Sequence, residues 1–599
     1  MSTQLFALTH GANGLRFGFA LVLVSMLVGV RHGRAPRIAY LRAVLLSVPA
    51  TVGAGISICI ERLLLGIDAN GTLQLFLGTF ISIGGGYSVG RWIAARKGDP
   101  GNQHRRGAVV TAAPVFADNR GASSDPNAPV TLAGFPVPLQ DETKHFKLIG
   151  TTGTGKSTAI RELLSTALAR GDRAVIADPD AGYLDTFYDA GRGDVILNPF
   201  SAAGAKWSLL GEVANEYDID QLARSFIPNS SDPDQSWIEY SRTFLGAAIR
   251  QCVAGKARRS GNGKIVDDNE LYRLVERAPV EELRMILGAT AAGPFLDKAT
   301  ARMFGCVRAI TTSAVKALKY TARQEGTPFS VKEWVGKGAA RNAGGKGGVL
   351  FLPYKAGEIA SLRSTISAWL RLAIFEAMNK PEGDQRLWFI IDELDALGEI
   401  DGLKDALMRL RKFGGRCALG LQSIALVGGT YGKGASEAIV ENCGTTVILR
   451  CSASEHGGTS EFASNLIGQR EVAYTSQAHT RRRGRWFNYS TTTSEQVKLE
   501  PAVLASEIER LPDLEGFLKL ASNPDWQKVR LTPDSFRGAR GKTPSNYGSP
   551  PDVTIVEDPP VSVAPAARAE PTYQRMRKPR RRAANSDGGT PPASAAGSG

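Results

Sequence analysis

Residues 150–158 read Gly150-Thr151-Thr152-Gly153-Thr154-Gly155-Lys156-Ser157-Thr158, a complete G-x-x-x-x-G-K-S phosphate-binding loop. In such a loop the glycines let backbone N–H groups turn inward around the β-phosphate. The lysine reaches the β- and γ-phosphate oxygens, and the serine hydroxyl is a ligand for Mg²⁺. A strand run at 147–149 precedes the loop and a helical run at 159–168 follows it, so the helix dipole faces the phosphates. All nine residues therefore predict a nucleoside triphosphate site, with ATP and Mg²⁺ as the expected cofactors.

A second motif supplies two acids. Leu387-Trp388-Phe389-Ile390-Ile391 is an apolar strand run that ends in Asp392 and Glu393. In ATPases with this kind of loop, an Asp at a strand tip holds the Mg²⁺ shell, and a following Glu orients and deprotonates water. An apolar strand that ends in Asp-Glu is common by chance, but it gains weight beside a phosphate loop. We predict that Ser157 and Asp392 hold the metal and that Lys156 and Glu393 are catalytic.

Two further polar features follow the acids. The segment 407–416 is dense in cations, and one of them could reach a γ-phosphate in an adjacent subunit. The alternative is an amphipathic helix with a solvated basic face. The strand run at 417–421 ends in Gln422, which either senses the γ-phosphate and positions water or simply caps the strand with a polar group.

Composition limits the class of protein. The chain has 599 residues, which is enough for three or four structural units, and a net charge of +14. This charge favours a polyanion or an anionic lipid surface as partner, without choosing between them. The 6 cysteines form no C-x-x-C pair, which indicates reduced thiols of a cytosolic compartment and argues against a disulfide framework or a zinc site.

Three apolar stretches crowd the N-terminus, at 17–30, 43–60 and 69–90. A membrane span needs about 20 apolar residues, so the second and third stretches qualify and the first is borderline. A cleaved signal peptide is an alternative for the first stretch, and buried core helices are an alternative for all three. Basic clusters flank the stretches, at 31–37 and 91–106. By the positive-inside rule these clusters place residues 91–599 in the cytoplasm, below a membrane anchor.

Shifts in pattern divide the rest of the chain. We predict an anchor of two or three transmembrane helices at 1–95 and a Gly/Pro-rich linker at 96–129. The α/β nucleotide-binding core is expected at 130–208 and 326–536, interrupted by an all-α domain at 209–325 where strand signals fade. Residues 537–599 are too poor in apolar side chains to fold, and predict a disordered basic tail. Its basic run at 575–582 either binds phosphates or lipid, or is merely solvated.

Several motifs together carry a resemblance to a known family. They are the phosphate loop, Asp178-Pro179, Ile196-Leu197-Asn198-Pro199, Trp207-Ser208, the Asp392-Glu393 strand end, Gly420-Leu421-Gln422-Ser423 and Leu511-Pro512-Asp513-Leu514. Over residues 130–535, and in this order, they resemble the TraD/TrwB group of type IV secretion coupling proteins. A third apolar stretch at the N-terminus and the long basic tail depart from the pattern of that group, which leaves the stem topology and the partner contacts open.

The resemblance implies a RecA-like motor core with an inserted all-α domain on a membrane-anchored stem. It implies a homohexamer that hydrolyses ATP and moves single-stranded DNA, with its relaxase and relaxosome proteins, into the type IV secretion channel during conjugation. By motif position, Arg411 matches the arginine that acts across a subunit boundary, and Gln422 matches the sensor.

Other functions remain open at this stage. One is a double-stranded DNA pump of the FtsK kind or a VirB-type assembly ATPase, against which the helical insertion and the compact anchor argue. Another is a nucleotide-gated docking receptor for secreted substrates. The run Arg481-Arg482-Arg483-Gly484-Arg485-Trp486-Phe487 joins cations to aromatic rings, as single-stranded DNA requires, although a solvated loop explains it equally well.

Overall fold

The runs that carry the phosphate loop and the acid pair lie in one sheet of the computed structural model, with a single strand between them. The structure describes residues 12–32, 43–47, 79–80, 83–91, 103–112, 123–229, 235–258, 267–337, 348–383, 385–454, 457–481, 489–533 and 543–547. Its strands, in chain order, are β1 (Gln103–Gly107), β2 (Val110–Ala112), β3 (Thr131–Leu132), β4 (Phe135–Pro136), β5 (Phe146–Ile149), β6 (Arg173–Pro179), β7 (Val195–Ile196), β8 (Val349–Tyr354), β9 (Leu387–Ile391), β10 (Gly415–Leu421), β11 (Thr445–Ile448), β12 (Gln469–Arg481), β13 (Tyr489–Pro501), β14 (Glu515–Lys519) and β15 (Trp526–Arg530).

Helices surround these strands. In chain order they are α1 (Ala12–His32), α2 (Leu139–Glu142), α3 (Lys156–Ala169), α4 (Leu184–Phe187), α5 (Glu216–Phe226), α6 (Gln235–Arg258), α7 (Asp268–Glu276), α8 (Val280–Leu287), α9 (Ala301–Ala314), α10 (Leu318–Thr321), α11 (Val331–Lys337), α12 (Ile359–Met378), α13 (Leu403–Leu410), α14 (Ile424–Tyr431), α15 (Lys433–Glu441), α16 (Gly458–Ile467) and α17 (Ala505–Glu509). Short helical stretches also lie at 43–47 and 83–91.

The main sheet has ten strands in the order β2-β15-β14-β11-β5-β10-β9-β6-β8-β7. The seven strands from β11 to β7 are parallel, whereas β14 runs antiparallel to β11 and to β15. In this order β5 lies between β10 and β11, and β9 and β6 follow β10. Because these strands are parallel, their carboxyl ends meet at one edge. Ligands of open α/β sheets bind at this edge.

Both faces of the parallel sheet are covered. Side chains alternate along β9, so that Trp388 and Ile390 enter one apolar core while Leu387, Phe389 and Ile391 enter the other. Helix α3 packs in the first core, and α12 packs in the second. A strand buried on both faces has a continuous apolar sequence, which is why this run was recognisable.

The chain between β7 and β8 is helical in the part that the structure describes. Helices α5 to α11 occupy it, and the chain leaves and returns through a parallel bridge between Trp207 and Phe329. Buried Glu212 joins the two ends, since it accepts hydrogen bonds from the Trp207 indole (2.8 Å) and the Val331 N–H (2.7 Å). The helices lie where the all-α insertion is expected, and the domain bounds themselves stay a prediction.

The N-terminal predictions fall only partly on described residues. The first apolar stretch lies within α1, whereas most of the stretches at 43–60 and 69–90 lies outside the described residues. Within the described part of the chain, no helix combines the length and the apolar character that crossing a bilayer requires. Residues 103–112, inside the predicted linker, form β1 and β2, which pair with β12 and β15.

Strands β1, β12 and β13 form a separate antiparallel sheet, in which β12 and β13 pair over their full length from Gln469↔Pro501 to Arg481↔Tyr489. The basic and aromatic run at 481–487 begins at the last residue of β12, and its remaining residues lie outside the described chain. Of the predicted disordered tail, only residues 543–547 are described.

Candidate nucleotide-binding site

The phosphate loop connects β5 to α3 at the carboxyl edge of the sheet. Gly153 and Gly155 adopt positive φ angles of 79° and 117°, a region that favours glycine. At Gly155 a side chain would also collide with Leu514, because a Cβ there would lie 2.9 Å from Leu514 Cδ2. The Leu514 N–H in turn donates to the Thr154 carbonyl (3.0 Å). The Leu511-Pro512-Asp513-Leu514 motif is therefore part of the wall that shapes the loop.

Lys156 is buried at the centre of the loop. Its Nζ donates to the Gly150 carbonyl (2.6 Å) and to the Thr151 carbonyl (3.1 Å). Burial lowers the pKa of this ammonium, and the carboxylates of Asp392 and Glu393 act in the opposite direction. A cation enclosed in this way is suited to attract a phosphate, because screening by water is weak there.

The threonines of the loop fix its shape. Thr151 N–H and Oγ1 both donate to the Arg450 carbonyl (2.9 and 3.2 Å), and Thr154 Oγ1 donates to the Thr151 carbonyl (2.8 Å). Thr152 is exposed at the loop tip, and Thr158 lies half-buried in the first turn of α3. The nine predicted cofactor-binding residues thus form one continuous segment that runs from the loop into the first turn of α3.

Asp392 follows β9 and contacts the phosphate loop directly. Its Oδ2 accepts hydrogen bonds from Ser157 Oγ (2.6 Å) and from the Tyr183 hydroxyl (2.8 Å). Its Oδ1 is buried and has no hydrogen-bond partner among the residues that the structure describes. An oxygen in that state fits Mg²⁺, a cation that takes oxygen ligands and water. The serine hydroxyl and this carboxylate are therefore the groups that would hold the metal.

Glu393 and Gln422 form a pair beside the loop. Gln422 Nε2 donates to Glu393 Oε1 (2.6 Å), and Gln422 Oε1 accepts from Thr152 Oγ1 (3.3 Å). Burial raises the pKa of Glu393, as do the negative charges of Asp392 and Asp395, while Lys156 and Gln422 oppose the shift. A carboxylate with a raised pKa is a stronger base for a water proton.

Arg411 is not brought to the loop of its own chain. It lies exposed in a short 3₁₀ turn, Arg411–Phe413, between α13 and β10. Gln422 follows the far end of β10, a strand of 7 residues. Such a strand spans roughly 23 Å, so Arg411 lies near the opposite edge of the sheet from the phosphates.

Tyr183 is a site residue that the sequence patterns did not identify. It is fully buried, and its hydroxyl is the second donor to Asp392. Asp178, at the end of β6, holds the turn that carries it, because the Asp178 carboxylate accepts the N–H groups of Tyr183 (3.0 Å) and Leu184 (2.7 Å). Burial raises the pKa of Asp178 to about 7, against the effect of those N–H donors. The sequence signal that could have indicated this turn is Asp178, an acid at the end of a strand.

Comparison with known proteins identifies the family. The family model for the type IV secretion-system coupling protein DNA-binding domain matches residues 129–532. The chain belongs to the type IV secretion coupling protein family. The resemblance drawn from the motifs is therefore confirmed.

Individual coupling proteins resemble the chain over long stretches. Coupling protein TraD of Escherichia coli (strain K12) is 29% identical over 439 residues, which cover 72% of this chain and 59% of TraD. The chain thus matches less than two thirds of the length of that relative. Plasmid coupling protein TrwB in complex with a non-hydrolysable ATP analogue superposes with a TM-score of 0.61 at 27% identity, covering 75% of this chain and 98% of TrwB. TrwB with ADP and Mg²⁺ gives 0.60 at 29% identity, covering 74% and 96%.

Proposed function

We propose that this coupling protein is a P-loop ATPase that binds ATP and Mg²⁺ and drives DNA into a type IV secretion channel. The observation that carries the proposal is the hydrogen bond between Ser157 and Asp392, with Asp392 Oδ1 left for the metal. It joins the two motifs on which nucleotide hydrolysis depends. The TrwB complexes with an ATP analogue and with ADP and Mg²⁺ support the same cofactors.

Each residue of the site has a defined task in this proposal. The loop amides and Lys156 bind the β- and γ-phosphates, and Ser157 and Asp392 hold Mg²⁺. When bound, the metal neutralises charge on the phosphate oxygens. Gln422 orients Glu393 through their 2.6 Å hydrogen bond, and Glu393 takes the proton of the attacking water.

Arg411 completes the site from a neighbouring copy. Because it is exposed near the opposite edge of its own sheet, it can serve only the nucleotide of another subunit. This arrangement requires a neighbouring copy of the chain, and we propose a homohexamer. An arginine supplied in this way stabilises the transition-state charge.

The transported substrate follows from family and charge. We propose single-stranded DNA with its relaxase as substrate, relaxosome and channel proteins as partners, and an anchor in the inner membrane with residues 91–599 in the cytoplasm. The net charge of +14 favours a polyanionic partner. A grip through phosphates predicts binding that weakens as salt rises.

ATP hydrolysis by the full chain, measured with and without single- or double-stranded DNA, tests the proposal. We expect single-stranded DNA to stimulate turnover and Lys156→Ala to abolish it. Stimulation by double-stranded DNA alone would favour a pump of the FtsK kind. Turnover that ignores both forms of DNA would favour the docking-receptor function.

A further inference from the structure

Residues 543–547 of the C-terminal segment lie against the carboxyl edge of the main sheet. Their turn is closed by a hydrogen bond from the Tyr547 N–H to the Pro544 carbonyl (2.9 Å). Thr543 Oγ1 donates to Asp185 Oδ1 (2.8 Å) at one end, and Ser201 Oγ donates to the Tyr547 carbonyl (2.8 Å) at the other. The segment is therefore held at both of its ends.

The Tyr547 side chain provides the apolar part of this contact. Its ring is partly buried and packs against the core that includes Tyr183 and Leu184. Burial raises the pKa of its phenol, and the nearby carboxylates of Asp178, Glu358 and Asp185 raise it further, while a hydrogen bond with Asn198 opposes them. The surface thus takes a neutral aromatic hydroxyl, and its acids would repel a negatively charged side chain at that position.

The contact lies next to the groups that hold the metal-binding acid. Asp185 belongs to α4, and the turn before α4 presents Tyr183 to Asp392 Oδ2 at 2.8 Å. Asp178 anchors the same turn through two backbone N–H groups. A ligand that steadies α4 therefore also steadies the donor on Asp392.

We propose that the surface formed by Asp185, Asn198 and Ser201 is a docking site for the turn at 543–547 of the same chain, and that docking there tightens magnesium–nucleotide binding through Tyr183. The docking stands on its own contacts, whereas the effect on nucleotide rests on the proposed ATPase function. Release of the segment loosens α4.

Hydrogen exchange on the full chain without nucleotide tests the docking. In Tyr547→Ala we expect the amides of 183–188 to exchange about 5-fold faster than in the wild type, since the contact between the ring and this core is lost. Tyr547→Phe keeps the ring and should stay near the wild type, and Tyr573→Ala is the control for a second tyrosine further along the tail. Equal exchange in Tyr547→Ala and wild type would overturn the docking.

Binding of a fluorescent ADP analogue then tests the effect on the site. We expect Tyr547→Ala to need about 5-fold more Mg²⁺ for half-maximal binding, with Tyr573→Ala unchanged. Faster exchange with an unaltered Mg²⁺ requirement would overturn the regulatory role. The docking and the ATPase function are tested by different measurements. Full turnover by Lys156→Ala would refute the ATPase function, whereas hydrogen exchange alone decides the docking.

Discussion

The two edges of the parallel sheet differ in how far their charged groups are paired. At the phosphate-loop edge, Asp392 Oδ1 has no hydrogen-bond partner within the described chain, and burial raises the pKa of Glu393. At the opposite edge, Arg170 donates two hydrogen bonds to Glu142 (2.7 and 2.6 Å), and Arg416 donates a third (2.9 Å). One edge keeps capacity for a ligand, and the other uses its charges to fix the backbone.

The edge that contains Glu142, Arg170 and Arg416, here called the fixed edge, also holds the segment that carries Arg411. Arg416 Nη1 donates to the Gly414 carbonyl (2.6 Å), which closes the turn after Arg411. Asp172 joins the network through Arg170 and through the Trp388 indole (2.8 Å). Buried charges of this kind tolerate little movement, because breaking one pair leaves another charge without compensation. If Arg411 acts on a neighbouring subunit, as we propose, this network would hold its segment in place.

The largest expected effect is on turnover and concerns Arg411, which we propose acts on the nucleotide site of a neighbouring subunit. Arg411→Ala should lower DNA-stimulated turnover by about 10³–10⁵-fold, as for arginines that act in this way elsewhere. Mixing Arg411→Ala with Glu393→Ala chains should restore part of the activity, since some interfaces then combine an intact Glu393 with an intact Arg411. Turnover is measured on mixed assemblies whose composition is verified. Lack of any recovery would place Arg411 outside the reaction or within its own subunit's site.

The second prediction concerns the free energy of unfolding and the buried charges around Glu142. Glu142→Gln removes the charge that Arg170 and Arg416 share, and should lower the free energy of unfolding by about 3–5 kcal/mol. Glu333→Gln is the matched control, because its ion pair with Lys337 is exposed and should contribute at most about 1 kcal/mol. Urea unfolding of both variants gives the comparison. A similar small loss in both would show that the buried network does not stabilise this edge.

Much of this arrangement could be predicted from the sequence, for physical reasons. The run 387–391 and β9 have the same bounds, because a strand buried on both faces has a continuous apolar sequence. The loop residues act locally, so their spacing identifies them. The Glu142 network escaped notice because its members are 28 and 274 residues apart in sequence.

Other features depend on the tertiary fold alone. Tyr183 follows a turn in which Asp180 and Ala181 have positive φ, and no motif marks such a turn. The docked segment at 543–547 belongs to a tail whose composition predicts disorder. Its Tyr547 packs on a core whose residues come from distant parts of the sequence.

The fixed edge should also respond to pH through His145. Its Nδ1 accepts the Cys417 N–H (3.1 Å) and its Nε2 lies 2.8 Å from the Leu407 carbonyl, so only the neutral ring fits. Burial lowers the pKa of this ring to about 4, helped by Arg411 and Arg416 and opposed by the Leu407 carbonyl. A folded-state pKa below the unfolded value means that stability is lost as pH falls from about 6.5 towards 4.

We expect the wild type to lose roughly 2 kcal/mol more than His145→Gln between pH 7 and pH 5 in urea unfolding. The difference between the two chains isolates this ring from the other groups that titrate over the same range. Parallel pH profiles for the two chains would mean that protonation of His145 does not oppose folding.

The smallest expected effect of these four is on the Mg²⁺ requirement and concerns the phosphate-loop edge. Tyr183→Phe removes one of the two donors to Asp392 and leaves the ring in its core, so the fold should persist. Because groups that orient a metal ligand tune affinity for the metal, we expect about a 10-fold higher Mg²⁺ requirement for nucleotide binding. Tyr188→Phe, at the other end of α4, is the control. An unchanged Mg²⁺ requirement would mean that Ser157 alone orients the carboxylate, and that the Tyr183 hydroxyl does not affect metal binding at Asp392.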